Sequence, residues 1–159
     1  MTEPATDLHA ALIDRCRQYN LAILYVFGSR ADEIAARVRG AEPAPTGAKP
    51  APTGAATDPT GAESDVDVGV LPGPDHPLDV RDRVHLMHAL ADTFGVARVD
   101  LIILPEADPF LAVNVIRGER LYAQDDHAAD EYDLYVLRRA GDLAPFERAR
   151  MALVLGEDR

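Results

Sequence analysis

Seven consecutive residues, Leu21-Ala22-Ile23-Leu24-Tyr25-Val26-Phe27, carry no charge and end abruptly at Gly28-Ser29. A strand with one wet face alternates apolar and polar residues, whereas an unbroken apolar run requires cover on both faces. The run is far shorter than the ~20 residues needed to cross a bilayer. It therefore predicts a buried central strand, and the segments on either side must supply the helices that cover it. Residues 6–19 read as one of them. Thr6 or Asp7 can cap it, and Leu8, Leu12, Cys16 and Tyr19 recur on one face. Cys16 belongs to that apolar stripe. As the one cysteine of the chain, it excludes an internal disulfide framework and a multi-cysteine zinc site. Residues 31–39 read as a second helix, with Ile34 and Val38 at i, i+4.

Residues 66–71 predict a second strand, stopped by Pro72-Gly73-Pro74, and residues 78–94 a helix ended by Gly95. The packing side of that helix is expected to hold Val84, Met87, Leu90 and Ala91. A third strand is expected over 99–104, a short helix over 109–117 and an edge strand over 120–123. Residues 127–155 read as helical, with a break around 141–145 where Gly141 and Pro145 occur. The alternation gives an α+β class with α/β-like order: a small mixed sheet, flanking helices and C-terminal helices. The division expected is a domain at 1–125 and a helical segment at 126–159 packed on it.

Between the second helix and second strand, Pro43-Ala44-Pro45-Thr46-Gly47-Ala48-Lys49 is followed by Pro50-Ala51-Pro52-Thr53-Gly54-Ala55-Ala56, then by a looser copy at 57–63. The seven-residue unit has no large apolar side chain, so 41–63 is expected to be a disordered insertion left by repeat expansion. Lengthening a loop from about ten to about thirty-five residues costs only about 1 kcal/mol of closure entropy.

Acids outnumber bases 27 to 16, a net charge of -11. Such a surface repels phosphate backbones, so nucleic acid is a poor partner and a basic client a better one. The N-terminus has neither the basic nor the apolar region of a secretory signal, and a cytoplasmic protein without a membrane segment is expected.

Three features carry chemistry. A glycine after a buried strand allows a sharp turn and close approach of a ligand, and a following helix favours an anion at its N-terminus, so Gly28 and Ser29 are candidate phosphate contacts. Arg30 reads either as a phosphate contact or as a helix-surface arginine. In Ser64-Asp65-Val66-Asp67-Val68-Gly69-Val70, Asp65 and Asp67 share a strand face. About 6–7 Å apart, they repel by roughly 2.5 kcal/mol at an effective dielectric near 20. A divalent cation relieves that cost, and oxygen-only ligands suit Mg²⁺. Asp100 is the lone acid in the apolar run 99–104, either a boundary residue or a carboxylate aimed at a site. His85 and His88, the basic residues Arg138, Arg139, Arg148 and Arg150, and the acidic cluster of 125–133 read as solvated helix surface, though the acidic cluster could meet a basic partner.

The order of strand, Gly28-Ser29, helix, Asp65-Val66-Asp67 on a strand and Asp100 on another resembles the nucleotidyltransferase superfamily that contains DNA polymerase beta. More closely, it is similar to the minimal, MntA-like nucleotidyltransferase antitoxins that pair with HEPN-domain toxins. Val115-Ile116-Arg117-Gly118-Glu119-Arg120-Leu121-Tyr122 looks like the family's segment after the third strand. The resemblance implies that Gly28, Ser29 and Arg30 bind the nucleotide, and that Asp65, Asp67 and Asp100 are catalytic and hold two Mg²⁺ ions. It implies transfer of AMP from ATP to a tyrosine hydroxyl of a HEPN toxin encoded nearby. Aminoglycoside-type transfer and a non-catalytic antitoxin acting by binding are the alternatives. The chain departs from the family's spacing of about ten residues between Gly-Ser and the paired acids; residues 30–64 intervene here.

Overall fold

The computed structural model describes residues 4–40 and 65–156, with side chains from residue 7. The expected disordered insertion at 41–63 lies outside the described residues. The elements run α1 (Pro4–Gln18), β1 (Leu21–Phe27), α2 (Ala31–Arg39), β2 (Val66–Pro72), α3 (Val80–Phe94), β3 (Val99–Ile103), a 3-10 turn (Leu104–Glu106), α4 (Pro109–Ile116), β4 (Glu119–Ala123) and α5 (Asp126–Leu155). Strand order is β3-β2-β1-β4. β1 is antiparallel to both neighbours, and β2 and β3 are parallel.

The apolar run is central, as its composition requires. Leu24 and Val26 point into a core shared with Val66, Val68 and Val70 of β2 and with α1, α2 and α3. Ile23 and Tyr25 point the other way, into a second core closed by α4 and α5. Leu12 and Cys16 are fully buried on α1, and Leu8 and Tyr19 pack beside them. Burial pushes the Cys16 thiol up to about 12, so it is an inert core group.

Four details differ from the sequence reading. α1 begins at Pro4, a residue suited to a first helical position, so Asp7 sits in the first turn rather than at the cap. α3 begins at Val80, with Asp79 and Asp82 forming a capping box, and the face it buries is Leu86, Leu90, Ala91 and Phe94. Val84 is exposed, because α3 lies on the sheet along the Leu86–Leu90 ridge. The expected break at 141–145 is absent: α5 is one helix of 30 residues with Pro145 inside it. Proline costs Gly141 its hydrogen-bonded partner, but on an exposed helix water can take the freed carbonyl, and glycine has no side chain to crowd. The C-terminal segment is therefore a single helix, docked on the sheet through Ala129, Val136 and Ala140.

Candidate active site

The strand directions bring three sequence segments to one end of the sheet. β1 ends at Phe27, which pairs with Asp67 near the start of the antiparallel β2. β3 enters at the same end, and its register sets Asp100 directly beside Asp67. Asp65 precedes β2 by one residue, so it shares the face of Asp67. That face is the one covered further along by α4, where Gly69 meets Val115. The paired acids and the lone acid, 33 residues apart in sequence, are thus neighbours because β2 and β3 run parallel in register.

Asp67 is half-buried and Asp100 exposed. The carboxyl of Asp67 is pushed above its ordinary value first by burial, then by the charges of Asp100 and Asp65. Asp65 lies 4.0 Å from Arg98, an exposed guanidinium. Arg98 was not singled out from sequence, although its position two residues before Asp100 in an extended segment was a legible signal.

Gly28 closes the site. It has φ +79, and a Cβ there would collide with the Asp67 carboxylate. Only glycine permits both the backbone conformation and that approach. Gly28 and the exposed Ser29 lead into α2, whose N-terminus has no side-chain capping bond among the described residues. Its first-turn N–H groups face the same end of the sheet as the acids, an arrangement suited to phosphate. Arg30 is 9% exposed, so it is not a helix-surface arginine. Its Nε and Nη2 donate to Glu33 at 3.0 and 2.9 Å, which holds the Glu33 carboxyl below its ordinary value. Gly118, before β4, has no room for a Cβ against the Val26 carbonyl and Phe27, so the segment after α4 packs tightly on the strand that delivers Gly28.

His85, His88, Arg138, Arg139, Arg148 and Arg150 are exposed on helices. Among the described residues, no three His, Cys, Asp or Glu side chains close around a point as a ready-made metal cage. Asp65, Asp67 and Asp100 instead form an open set of carboxylate oxygens. Such a set fits Mg²⁺, which commonly takes one or two carboxylates and completes its shell with water and substrate phosphate.

A family model described as polymerase beta, nucleotidyltransferase, matches residues 11–127. No curated protein matches. Among solved structures, a toxin–antitoxin MntA–HpeT mutant is 19% identical, with TM-score 0.64 over 92% of this chain and 98% of that chain. A toxin–antitoxin with AMP-PNP is 20% identical, with TM-score 0.63 over the same shares. A tri-AMPylated HEPN toxin in complex with the MNT antitoxin of Shewanella oneidensis is 18% identical, with TM-score 0.62 over 95% and 98%. At these identities the likeness is one of fold.

Proposed function

The chain belongs to the polymerase beta nucleotidyltransferase family, and from that premise we propose that it is a Mg²⁺-dependent protein adenylyltransferase, the antitoxin to a HEPN-type toxin. The observation that carries the catalytic part is the register of Asp67 beside Asp100, with Asp65 on the same face and Gly28 against Asp67. The antitoxin part is supported by structures of like fold that hold AMP-PNP or an AMPylated HEPN toxin, and by an acidic surface that disfavours a nucleic-acid acceptor.

In this reading Gly28 and Ser29 hold the β- and γ-phosphates of ATP at the N-terminus of α2. Asp65 and Asp67 would hold two Mg²⁺ ions, and Asp100 would ligate one of them. Bound Mg²⁺ would neutralise charge on the attacking and leaving oxygens. The acceptor oxygen bonds to the α-phosphorus, the bond from that phosphorus to the β-bridging oxygen breaks, and pyrophosphate leaves. The Asp100 carboxylate, open to solvent, takes the acceptor's proton. Arg30, bound to Glu33, orients the start of α2, and Arg98 offsets charge at Asp65.

The test incubates the protein with Mg²⁺, labelled ATP and the product of the adjacent gene, followed by mass spectrometry of both chains. AMP on a tyrosine of the partner, lost in Asp67→Asn, is the expected result. Neutralisation of the toxin by Asp67→Asn without any label would refute the enzyme and leave an antitoxin that works by contact. Label on an aminoglycoside and none on the partner would replace the protein acceptor with a small molecule.

A further inference from the structure

α5 buries Ala129, Val136 and Ala140 against the body, and beyond Ala140 no residue of it is buried. A different face of the same helix carries large apolar groups in water: Phe146 is 73% exposed and Leu153 71%, with Tyr135 half-exposed. On this face Glu131, Tyr135, Arg139, Asp142, Phe146 and Arg150 recur at steps of four, four, three, four and four residues, a single stripe on a 3.6-residue helix.

The stripe is complementary to itself when reversed. Arg139 and Asp142 stand at equal steps on either side of the Ala140-Gly141 bond; so do Tyr135 and Phe146, and so do Glu131 and Arg150. Two copies of α5 laid antiparallel across a two-fold axis at that bond would set each basic residue against an acid and each aromatic ring against the other. Leu153 would fall on Ala128. An isologous contact makes every pair twice. Within one chain, Glu131 has His127 at 3.5 Å and Arg150 holds Glu147, yet both side chains remain largely exposed and able to face a partner.

We propose that this face of α5 is the interface of a symmetric homodimer, with the two α5 helices antiparallel and crossing at Ala140-Gly141. An unrelated partner would need no such mirror order of charge. A second copy needs it, because the surface must match itself.

Sedimentation velocity of the full chain tests the proposal. Wild type is expected to dimerise below about 100 µM. Phe146→Asp, at an exposed position, is expected to melt like wild type and to weaken the dimer by about 30-fold or more, since symmetry removes the contact twice. Arg150→Glu is expected to weaken it about tenfold, and adding Glu131→Arg in the same chain to restore it to within about threefold. A wild type that stays monomeric at about 100 µM overturns the proposal. So does a dimer indifferent to Phe146→Asp, or a double charge reversal no better than the single one. Loss of the adjacent gene product's binding in Phe146→Asp, with the chain monomeric throughout, would assign the face to that partner instead.

Discussion

Replacing Asp67 by Asn is expected to abolish nucleotidyl transfer and to raise the stability of the fold. In the native state Asp67 faces Asp100 across a parallel pair and Asp65 along its own strand. Strand spacings put these neighbours at roughly 5 and 6–7 Å. With the dielectric of water the two repulsions sum to about 1.5 kcal/mol, and with an effective value of 20 to about 6 kcal/mol. Asp100 is exposed and Asp65 partly so, and screening of exposed charges holds the effect near the lower figure, about 1–2 kcal/mol. For a domain of this size that is a gain of about 3–6 °C in Tm. The sign follows from linkage. The folded-state carboxyl of Asp67 lies above its ordinary value of 3.8, so the folded state binds the proton more tightly than the unfolded chain. Wild-type stability is therefore whole below the unfolded value and declines as pH rises through the folded one. Asn has no charge to lose, so its advantage should be absent near pH 3.5, present at pH 7, and reduced toward zero in about 1 M NaCl, where the Debye length is about 3 Å. Mg²⁺ at ten times its Kd should stabilise wild type by about 1.4 kcal/mol and the variant by less. Calorimetry across pH and salt measures all of this. An Asp67→Asn variant less stable than wild type at pH 7 in low salt would refute the account of Asp67 as a strained charge.

Gly28→Ala, forced to positive φ and into the Asp67 carboxylate, is expected to lose at least about 1–2 kcal/mol in denaturant titration and most of its activity. Tyr25→Phe removes a hydroxyl that donates to Asp133, a carboxylate also held by Arg120 at 3.5 Å; a loss of about 1 kcal/mol in chemical denaturation is expected, with transfer activity retained. Cys16, buried and with its thiol raised to about 12, should react with a thiol reagent at pH 8 only at the rate of unfolding, and fast native labelling would refute its core placement. Deleting residues 41–62, which contain no large apolar side chain, is expected to leave both Tm and transfer rate nearly unchanged.

The elements legible in the sequence were those fixed by their own composition. The apolar run at 21–27 fitted a buried central strand, being short, uncharged and closed by Gly28-Ser29, a pair that most often marks a turn. α2 was read at its observed bounds because its helix formers stop at Gly40, which closes it in the left-handed conformation. The face of α3 was not legible. Val84 and Leu86 are both apolar, and which one is buried depends on how the helix lies on β3 and α1, a tertiary choice that periodicity leaves open. The break expected at Pro145 failed for the same kind of reason: the rule describes the cost of proline inside a helix, and an exposed turn over a glycine keeps that cost small.

The candidate site divides along the same line. Asp65 and Asp67 could be paired from spacing alone, since two residues on a strand share a face. Asp100 could not be joined to them by any local rule, because its place beside Asp67 exists only through the parallel register of β2 and β3. Arg30 shows the converse. Next to Gly28-Ser29 it has the chemistry of a phosphate contact, and the structure adds that its guanidinium pairs with Glu33 and is largely withdrawn from solvent. In the proposed reading, phosphate at this end of the sheet would meet the backbone at the start of α2 and cations held by the acids, with Arg30, shared with Glu33, as a further contact. A polyanionic nucleotide approaching a chain of net charge -11 then depends on those cations for most of its attraction. Nucleotide affinity should accordingly fall far more on chelation of Mg²⁺ than on Arg30→Gln. A larger loss from Arg30→Gln, with the variant still folded, would make that arginine the main phosphate contact.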